Sequence, residues 1–488
     1  MLPLQLSSAL VALCALLPTS AALPSLPQQQ TFGEDARAFA PLSADPAFDV
    51  TKYKDGGPPS PFPPSPTPGN ETGHGHFSIW SRETKEEFLR DVSSNSAQDW
   101  TLVMGNEAGD LDSMVSALAL AYTLSHDSKN PQKAVALLQT EQDALYLRPE
   151  NALALHYARM ATHHRDLLTI DELPVKPSEM WHRIKGIALV DHNVPLSRWG
   201  NATVLAILDH HEDRGHAPKA HPRVIEPSGS CSSLIARYMF ERLDTIKKNG
   251  AEVLHGKLPT ELLELLLRTI AIDTSGLKKE QRQPVDKESA ETLFELSSWK
   301  KGKLKKKMGE IDDELSKAKK NLADLDVRAL LRRDWKGDAV ETASTKYPAL
   351  ALGFASSPVS LEEQILRTPE GTSPEWFAIE RAWTSEIGAD VSVCLTNFRD
   401  DDGTKTREIA LVVAHGFGKR LSTRAATSLF DALKHAIENA GVELSPWSRP
   451  DGKPLLPRRG VWQLGEGSEA SRKFWRPIIE KAAREWSG

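Results

Sequence analysis

Residues 103–122 read "VMGNEAGDLDSMVSALALAY" and start inside an apolar run that predicts a buried strand. Three polar side chains, Asn106, Asp110 and Asp112, follow in a loop with two glycines, and an apolar helical pattern comes directly after them. An acidic cluster at the end of a buried strand loses hydration energy unless a positive charge compensates for it. The stretch therefore predicts a strand, a ligand-bearing loop and a helix, and a metal ion is the candidate for the compensating charge.

Three further apolar runs end in side chains of the same kind: "IALVDHN" at 187–193, "VLAILDHH" at 204–211 and "TIAIDTS" at 269–275. Short apolar runs alternate with helical patterns through this half of the chain, which favours βα units around a mostly parallel sheet. Because the carboxyl ends of parallel strands share one edge, the polar residues at these ends are expected in one crevice. They are Asp110, Asp112, Asp191, His210, His211 and Asp273, the last of which could instead arrive from a helix end.

Each motif taken alone has an ordinary explanation. An Asp after a strand is often the N-cap of the next helix, and a single His is more often a satisfied core residue than a ligand. Four acidic motifs in succession are hard to explain by capping. Carboxylates with one or two imidazoles suit Mn²⁺, Mg²⁺ or Co²⁺, and two such ions can activate a hydroxide and bind phosphoryl oxygens. The pattern therefore predicts metal-dependent hydrolysis of a phosphoester or phosphoanhydride.

The 488 residues exceed what one hydrophobic core usually serves, and the net charge of -6 argues against a nucleic-acid partner. We expect two α/β domains, the second smaller, with strands near 391–398 and 408–416 and helices near 423–440 and 470–485. Six lysines lie between Lys300 and Lys307, in a segment that reads as a solvated helical connector or as a basic lip for a polyanion. The expected divisions are a signal peptide at 1–22, a disordered Pro-rich linker at 23–75, domains at 76–299 and 327–488, and a charged helical connector at 300–326.

The first 22 residues predict a secretory signal peptide, because a short apolar stretch is followed by Ser20, Ala21 and Ala22. We therefore expect a secreted or vacuole-like location, the cytoplasm being the alternative if this interpretation fails. Two sequons, at Asn70 and Asn201, are compatible with that route. No later apolar stretch is long enough to span a bilayer, so stable membrane insertion is not expected.

"GNEAGDLDS", "LVDHN", "LDHH" and "AIDT", in this order, resemble the four motifs of the DHH phosphoesterase superfamily. The resemblance is closest to the exopolyphosphatases, which are related to family II inorganic pyrophosphatases and prune-type proteins. "LLRRDWK" at 330–336 and "ASRKFWRP" at 470–477 resemble phosphate-binding segments of the DHHA2 domain. The resemblance implies a DHH domain, a smaller DHHA2 domain and an active site in the cleft between them.

The resemblance also implies a role for each residue of the site. Two divalent cations, Mn²⁺ or Mg²⁺ with Co²⁺ as an alternative, are expected, and Asp191 would bridge them. Asn106 stands where pyrophosphatases have a histidine ligand, and His211 would face the substrate. Asp110 would bind one metal ion, and Asp112, His210 and Asp273 would bind the other. Asp209 would orient the imidazoles. Phosphate would be bound by Lys336, Arg472 and Lys473. Ser230 in "GSCSS" either caps a helix or lies near the bound anion.

The expected reaction is hydrolysis of the terminal phosphoanhydride bond of inorganic polyphosphate, with release of orthophosphate. An inorganic pyrophosphatase is the first alternative, and Asn106 disfavours it. A prune-like phosphodiesterase or partner-binding protein is the second, although such proteins tend to depart from the third motif, which is intact here. A protein that only binds polyphosphate is the non-enzymatic alternative, and the oligomeric state is not predicted.

Overall fold

The computed structural model describes residues 76–127, 129–243, 252–253, 256–400, 402–414, 420–447 and 455–488. The expected signal peptide and Pro-rich linker, with Asn70, lie outside these residues. Asn201 lies within them and is exposed. Within the described ranges, no helix is both long and apolar enough to cross a membrane.

The first half of the chain forms a six-stranded sheet in the order β3-β2-β1-β4-β5-β6, and every neighbouring pair is parallel. Its central strands are buried along their whole length, as expected for a sheet covered on both faces. The predicted α/β class is confirmed. The strands are β1 (Trp100–Met104), β2 (Lys133–Leu138), β3 (Leu168–Thr169), β4 (Gly186–Val190), β5 (Val204–Asp209) and β6 (Arg223–Ile225).

Eight α-helices accompany this sheet in the described residues, besides short 3₁₀ helices: α1 (His76–Ser93), α2 (Leu111–Ser125), α3 (Pro149–Tyr157), α4 (Pro177–Met180), α5 (Cys231–Arg242), α6 (Thr260–Asp273), α7 (Pro284–Leu296) and α8 (Leu304–Lys319). A small hairpin, β7 (Glu252–Val253) and β8 (Gly256–Lys257), precedes α6. The apolar run at 269–275 therefore belongs to α6, and Asp273 reaches the site from the end of a helix rather than a strand.

The lysine-rich segment is helical in α8, but the helix is not solvated all round. Met308, Ile311 and Leu315 are buried in the hydrophobic core of the first half, at helical spacing. Most of the lysines between 300 and 307 lie on the exposed side. The segment thus combines a charged surface with an apolar face that packs on the first domain.

The second half forms a mixed six-stranded sheet in the order β15-β16-β14-β11-β10-β9, in which only the pair β10–β11 is parallel. The strands are β9 (Trp335–Glu341), β10 (Ala349–Ser357), β11 (Val391–Thr396), β14 (Glu408–Val413), β15 (Leu444–Pro446) and β16 (Arg459–Leu464), with a separate hairpin of β12 (Phe398–Arg399) and β13 (Lys405–Thr406). The helices are α9 (Val327–Arg333), α10 (Leu361–Leu366), α11 (Ser373–Glu386), α12 (Thr423–Glu438) and α13 (Arg472–Glu485). The strands and helices expected in this half are present.

The two halves meet through a small apolar cluster and several ion pairs. Ala144 and Leu147 from the first half pack with Leu322 and Leu330. Two arginines at the end of α9 reach back into the first half, Arg332 to Asp143 at 2.6 Å and Arg333 to Glu150 at 3.0 Å. These contacts hold the start of β9 near the loops that follow the strands of the parallel sheet.

Candidate metal and phosphate site

The loop at 105–110, the ligand loop, connects β1 to α2 and is shaped by its two glycines. A Cβ on Gly105 would lie 2.6 Å from Ser113, so the loop can pass this close to α2 only without a side chain. Gly109 has a φ of +56°, the left-handed region that favours glycine, and a Cβ there would lie 2.0 Å from Thr140 Oγ1. Asp110 then caps α2 and accepts a hydrogen bond from the Ser113 N–H at 3.0 Å. The loop thereby places its polar side chains at the carboxyl edge of the sheet.

Asp191 lies at the centre of the site, directly after β4, and is only 3% exposed. Its Oδ2 accepts hydrogen bonds from Asn106 Nδ2 at 2.7 Å and from Ser113 Oγ at 2.6 Å. Its Oδ1 lies 3.1 Å from His210 Nε2 and 3.7 Å from His211 Nδ1. Burial raises the pKa of Asp191, but these imidazoles outweigh burial and hold the pKa well below its usual range. The carboxylate is therefore ionised and shared between two motifs.

The two histidines follow β5 and are oriented by different acceptors. His210 Nδ1 lies 3.0 Å from the carbonyl oxygen of Ser228, which leaves Nε2 facing Asp191. His211 Nδ1 lies 2.8 Å from Asp209 Oδ1. One ligand atom from each of Asp191, Asp209, His210 and His211 can be chosen so that all lie within 4.8 Å of one another. Asp209 thus orients an imidazole, as expected, and is also close enough to belong to the cluster.

Asp112 is held by the N-terminus of α5. Its carboxylate accepts hydrogen bonds from the backbone N–H groups of Cys231 at 2.6 Å and Ser232 at 2.8 Å, and from the Ser230 hydroxyl at 3.0 Å. The segment "GSCSS" thus binds two carboxylates in this structure, Asp112 and also Asp286, whose Oδ2 accepts from the Gly229 N–H at 2.8 Å. Ser230 does not cap its own helix with its side chain. Burial and the charge of Asp191 raise the pKa of Asp112 to about 6.

Asp273 is the least satisfied carboxylate of the group. Burial, with the charges of Asp112 and Asp110, raises the pKa of Asp273 well above its usual value. Its Oδ2 is buried and has no hydrogen-bond partner among the described residues. Several carboxylates packed this closely repel one another, and a divalent cation would both neutralise them and occupy the unpaired oxygen. The donor set of carboxylates and imidazoles therefore fits divalent metal ions.

The expected phosphate-binding residues divide into two kinds. Lys336 in β9 lies close enough to the centre to contribute, after the two histidines, to the lowered pKa of Asp191. Arg472 opens α13 and binds Asp334, with its Nη1 donating to the backbone oxygen at 2.9 Å. Lys473 is exposed, and the described residues include no contact between it and the carboxylate and imidazole cluster. The structure thus brings Lys336 near the cluster and places Lys473 on the surface.

Two features of the site were not expected from the sequence. Arg148 is buried between the halves, where its Nε donates to the Ala108 carbonyl of the ligand loop at 2.8 Å and its Nη2 donates to the Arg333 carbonyl at 3.0 Å. Nothing in "LYLRPEN" marks this arginine, because its partners are distant in the chain. Asn106 also differs from a ligand: its Oδ1 accepts from the Ala108 N–H at 3.0 Å, and its Nδ2 serves Asp191.

Metal binding is expected to release protons and to strengthen as pH rises. Burial alone would lower the pKa of His210, but its hydrogen bond to Asp191 and the charge of Asp112 raise the pKa to about 10. His210 therefore holds a proton near neutral pH, which a cation must displace, and the raised pKa of Asp273 acts in the same direction. Calorimetric titration with Mn²⁺ in two buffers of different ionisation enthalpy measures this release. Equal heats in both buffers, together with a Kd that does not change between about pH 6 and pH 8, would contradict it.

Comparison with known proteins gives one consistent result. Residues 100–270 match the model of the DHH family, N-terminal domain, and residues 313–482 match the model of the DHHA2 domain. The chain is 32% identical over 423 residues to a Schizosaccharomyces pombe protein named as a candidate exopolyphosphatase, with 84% of this chain and 98% of that protein covered. It is 30% identical over 387 residues to human Exopolyphosphatase PRUNE1, with 78% and 75% covered.

A solved structure, of a candidate family II inorganic pyrophosphatase from Methanococcus jannaschii, aligns with a TM-score of 0.48 at 21% identity and covers 78% of this chain and 99% of its own. The family models and the two relatives confirm the resemblance drawn from the four motifs. The chain therefore belongs to the DHH phosphoesterase family and carries a DHHA2 domain in its C-terminal half.

Proposed function

We propose that this protein is an exopolyphosphatase that hydrolyses the terminal phosphoanhydride bond of inorganic polyphosphate and releases orthophosphate. The observation that carries the proposal is the cluster of two buried carboxylates and two partly buried imidazoles around Asp191, with Lys336 of the second domain close by. A family relative that is similar over 98% of its length is named for this activity. A phosphate chain entering between the two halves would meet the cluster on one side and the cations of the DHHA2 domain on the other.

Each residue has a defined part in this proposal. Asp110, Asp112, Asp191, His210 and Asp273 would hold two divalent cations. When bound, such ions supply a hydroxide nucleophile and neutralise phosphoryl oxygens in the transition state. His211, whose Nδ1 is fixed by Asp209 and whose side chain is 32% exposed, would present its other nitrogen to the substrate. Lys336 and Arg472 would bind phosphoryl oxygens, the arginine in a bidentate fashion.

The direct test is release of orthophosphate from long-chain polyphosphate in the presence of Mn²⁺ or Mg²⁺. Pyrophosphate and a cyclic nucleotide serve as competing substrates, and a chelator serves as the control for metal dependence. Stepwise release of orthophosphate from the polymer would support the proposal. Binding of polyphosphate without release of orthophosphate at saturating metal would instead indicate a binding protein. Hydrolysis of pyrophosphate alone would indicate an inorganic pyrophosphatase.

The pyrophosphatase alternative depends on residue 106, which is Asn here. Asn106 Nδ2 lies 2.7 Å from Asp191 Oδ2, so an imidazole at this position would add a strong ligand beside the cluster. We expect Asn106→His to tighten Mn²⁺ or Co²⁺ binding and to raise kcat/KM on pyrophosphate relative to polyphosphate. Asn106→Gln, which keeps an amide, is the matched control. Metal affinity and a substrate ratio that both equal those of the control would show that residue 106 does not set substrate choice.

A further inference from the structure

The side chain of Arg472 makes its hydrogen bonds, among the described residues, with a neighbouring acid, Asp334. Asp334 lies between α9 and β9, in the segment "RRDWK", and its side chain is 26% exposed. Arg472 Nη1 donates to the Asp334 backbone oxygen at 2.9 Å and to its Oδ1 at 3.2 Å, and Nη2 donates to the same Oδ1 at 3.2 Å. Asp334 therefore takes the end of the guanidinium that is formed by Nη1 and Nη2.

A guanidinium is planar and has five N–H donors, so it can serve two acceptors from two different edges. With the Nη1–Nη2 edge bound to Asp334, the edge formed by Nε and the second hydrogen of Nη2 remains. No acceptor takes the Nε–H of Arg472 among the residues the structure describes. The N–H groups of Nε and Nη2 on that edge are spaced so that they can donate to two phosphoryl oxygens at once.

Asp334 also has two other cations around it. Arg148 Nη2 of the first half lies 3.7 Å from Asp334 Oδ1, and Lys336 is close enough for its charge to lower the pKa of Asp334. Burial raises the pKa of Asp334, but the charges of Arg472, Arg148 and Lys336 outweigh burial and lower the pKa to about 2. One carboxylate thus gathers three cations from separate elements, and the net positive charge of the group is suited to one further anion.

We propose that Asp334 is a positioning residue: it binds the Nη1–Nη2 edge of Arg472 and thereby orients the Nε–Nη2 edge toward a phosphoryl group of the substrate. The inference rests on the proposed function, because it requires that Arg472 meet substrate phosphate. Asp334 itself does not touch the substrate. In the opposite arrangement, the Asp334 carboxylate would occupy the place of a substrate phosphate and compete with it. Removing its charge would then lower KM for polyphosphate, whereas a positioning role predicts that KM rises.

The first experiment compares Asp334→Asn with the unchanged protein, since Asn keeps the size of the side chain but loses the charge that orders the guanidinium. We expect KM for polyphosphate to rise about 10-fold, the size of a typical coupling between contacting charged groups, with kcat and Mn²⁺ affinity little changed. Glu341→Gln is the matched control, because it makes the same acid-to-amide change at the exposed end of β9, the strand that follows Asp334. It should leave KM unchanged. Binding of tripolyphosphate is measured by calorimetry alongside turnover, so that affinity can be compared even if the proposed reaction fails.

The second experiment is a double-mutant cycle that separates positioning from general support of the fold. Arg472→Lys keeps a charge but cannot bind Asp334 through one edge and a phosphoryl group through another, and we expect it to raise KM as much as Asp334→Asn does. In the Arg472→Lys background, Asp334→Asn should add little, because the orientation that it supports has already been lost. If the fold-changes in KM of the two single variants simply multiply in the double variant, the positioning role is overturned.

The outcomes distinguish this inference from the function on which it rests. A raised KM and weaker tripolyphosphate binding in Arg472→Ala, with Asp334→Asn unchanged, would remove the role of Asp334 and leave the substrate assignment intact. A lowered KM in Asp334→Asn would identify Asp334 as a competitor and overturn the proposal. Unchanged tripolyphosphate binding in Arg472→Ala would show that Arg472 does not meet phosphate, and the inference would fall together with that part of the proposed function.

Discussion

Asp191→Asn is expected to lower the rate of phosphate release by several orders of magnitude while the protein remains folded. Asp191 has a φ of +58°, a region that Asn tolerates better than most residues, so the backbone can keep its course. The substitution removes a carboxylate whose Oδ1 lies 3.1 Å from the His210 imidazole and 3.7 Å from the His211 imidazole, and which would be shared by two cations. An amide cannot supply the negative charge that holds two divalent ions close together.

Turnover of polyphosphate at saturating Mn²⁺, with metal content measured on the same sample, checks this expectation. Asp213→Asn is the matched control, because Asp213 lies four residues after Asp209, is 43% exposed and pairs with Arg223. The control should retain activity. Near-normal turnover by a folded Asp191→Asn protein would contradict a two-metal mechanism.

Arg148→Ala is expected to lower the free energy of unfolding by about 3 to 5 kcal/mol, the range measured when one partner of a buried ion pair is removed. The Arg148 side chain is only 8% exposed and lies beside Glu150 at 3.5 Å and Asp334 at 3.7 Å. Its loss would leave the carbonyl oxygens of Ala108 and Arg333 without their donors. The ligand loop would thereby lose a direct tie to the DHHA2 domain, so Mn²⁺ affinity should fall as well.

Urea unfolding followed by both tryptophan fluorescence and circular dichroism measures the change. Arg90→Ala is the control, because Arg90 is exposed in the last turn of α1. It should shift the unfolding midpoint little, as most surface substitutions do. A midpoint for Arg148→Ala equal to that of Arg90→Ala would show that the contacts of Arg148 contribute nothing to the junction of the two domains.

The sequence was sufficient for the fold class because its signals are local and periodic. The strands β1, β4 and β5 are short apolar runs that end in acidic motifs, and this pattern requires only that a buried parallel strand be apolar on both faces. Convergence of the motifs then followed from topology, since the carboxyl ends of parallel strands share one edge. The fourth motif, "TIAIDTS", was ambiguous for the same reason: a short apolar run does not distinguish a strand from the end of a buried helix, and it proved to be the end of α6.

By itself, then, the sequence determined the α/β architecture, the family and the acidic and histidine motifs that follow β1, β4 and β5, because spacing along the chain carries that information. Only the tertiary structure decided what these side chains touch. Asp112 meets the N-terminus of α5, about 120 residues away, Arg148 meets Arg333 across 185 residues, and Arg472 meets Asp334 across 138. Such contacts depend on how elements that are far apart in the chain come to lie against each other, and no local propensity or periodicity encodes which donor will meet which acceptor across that distance.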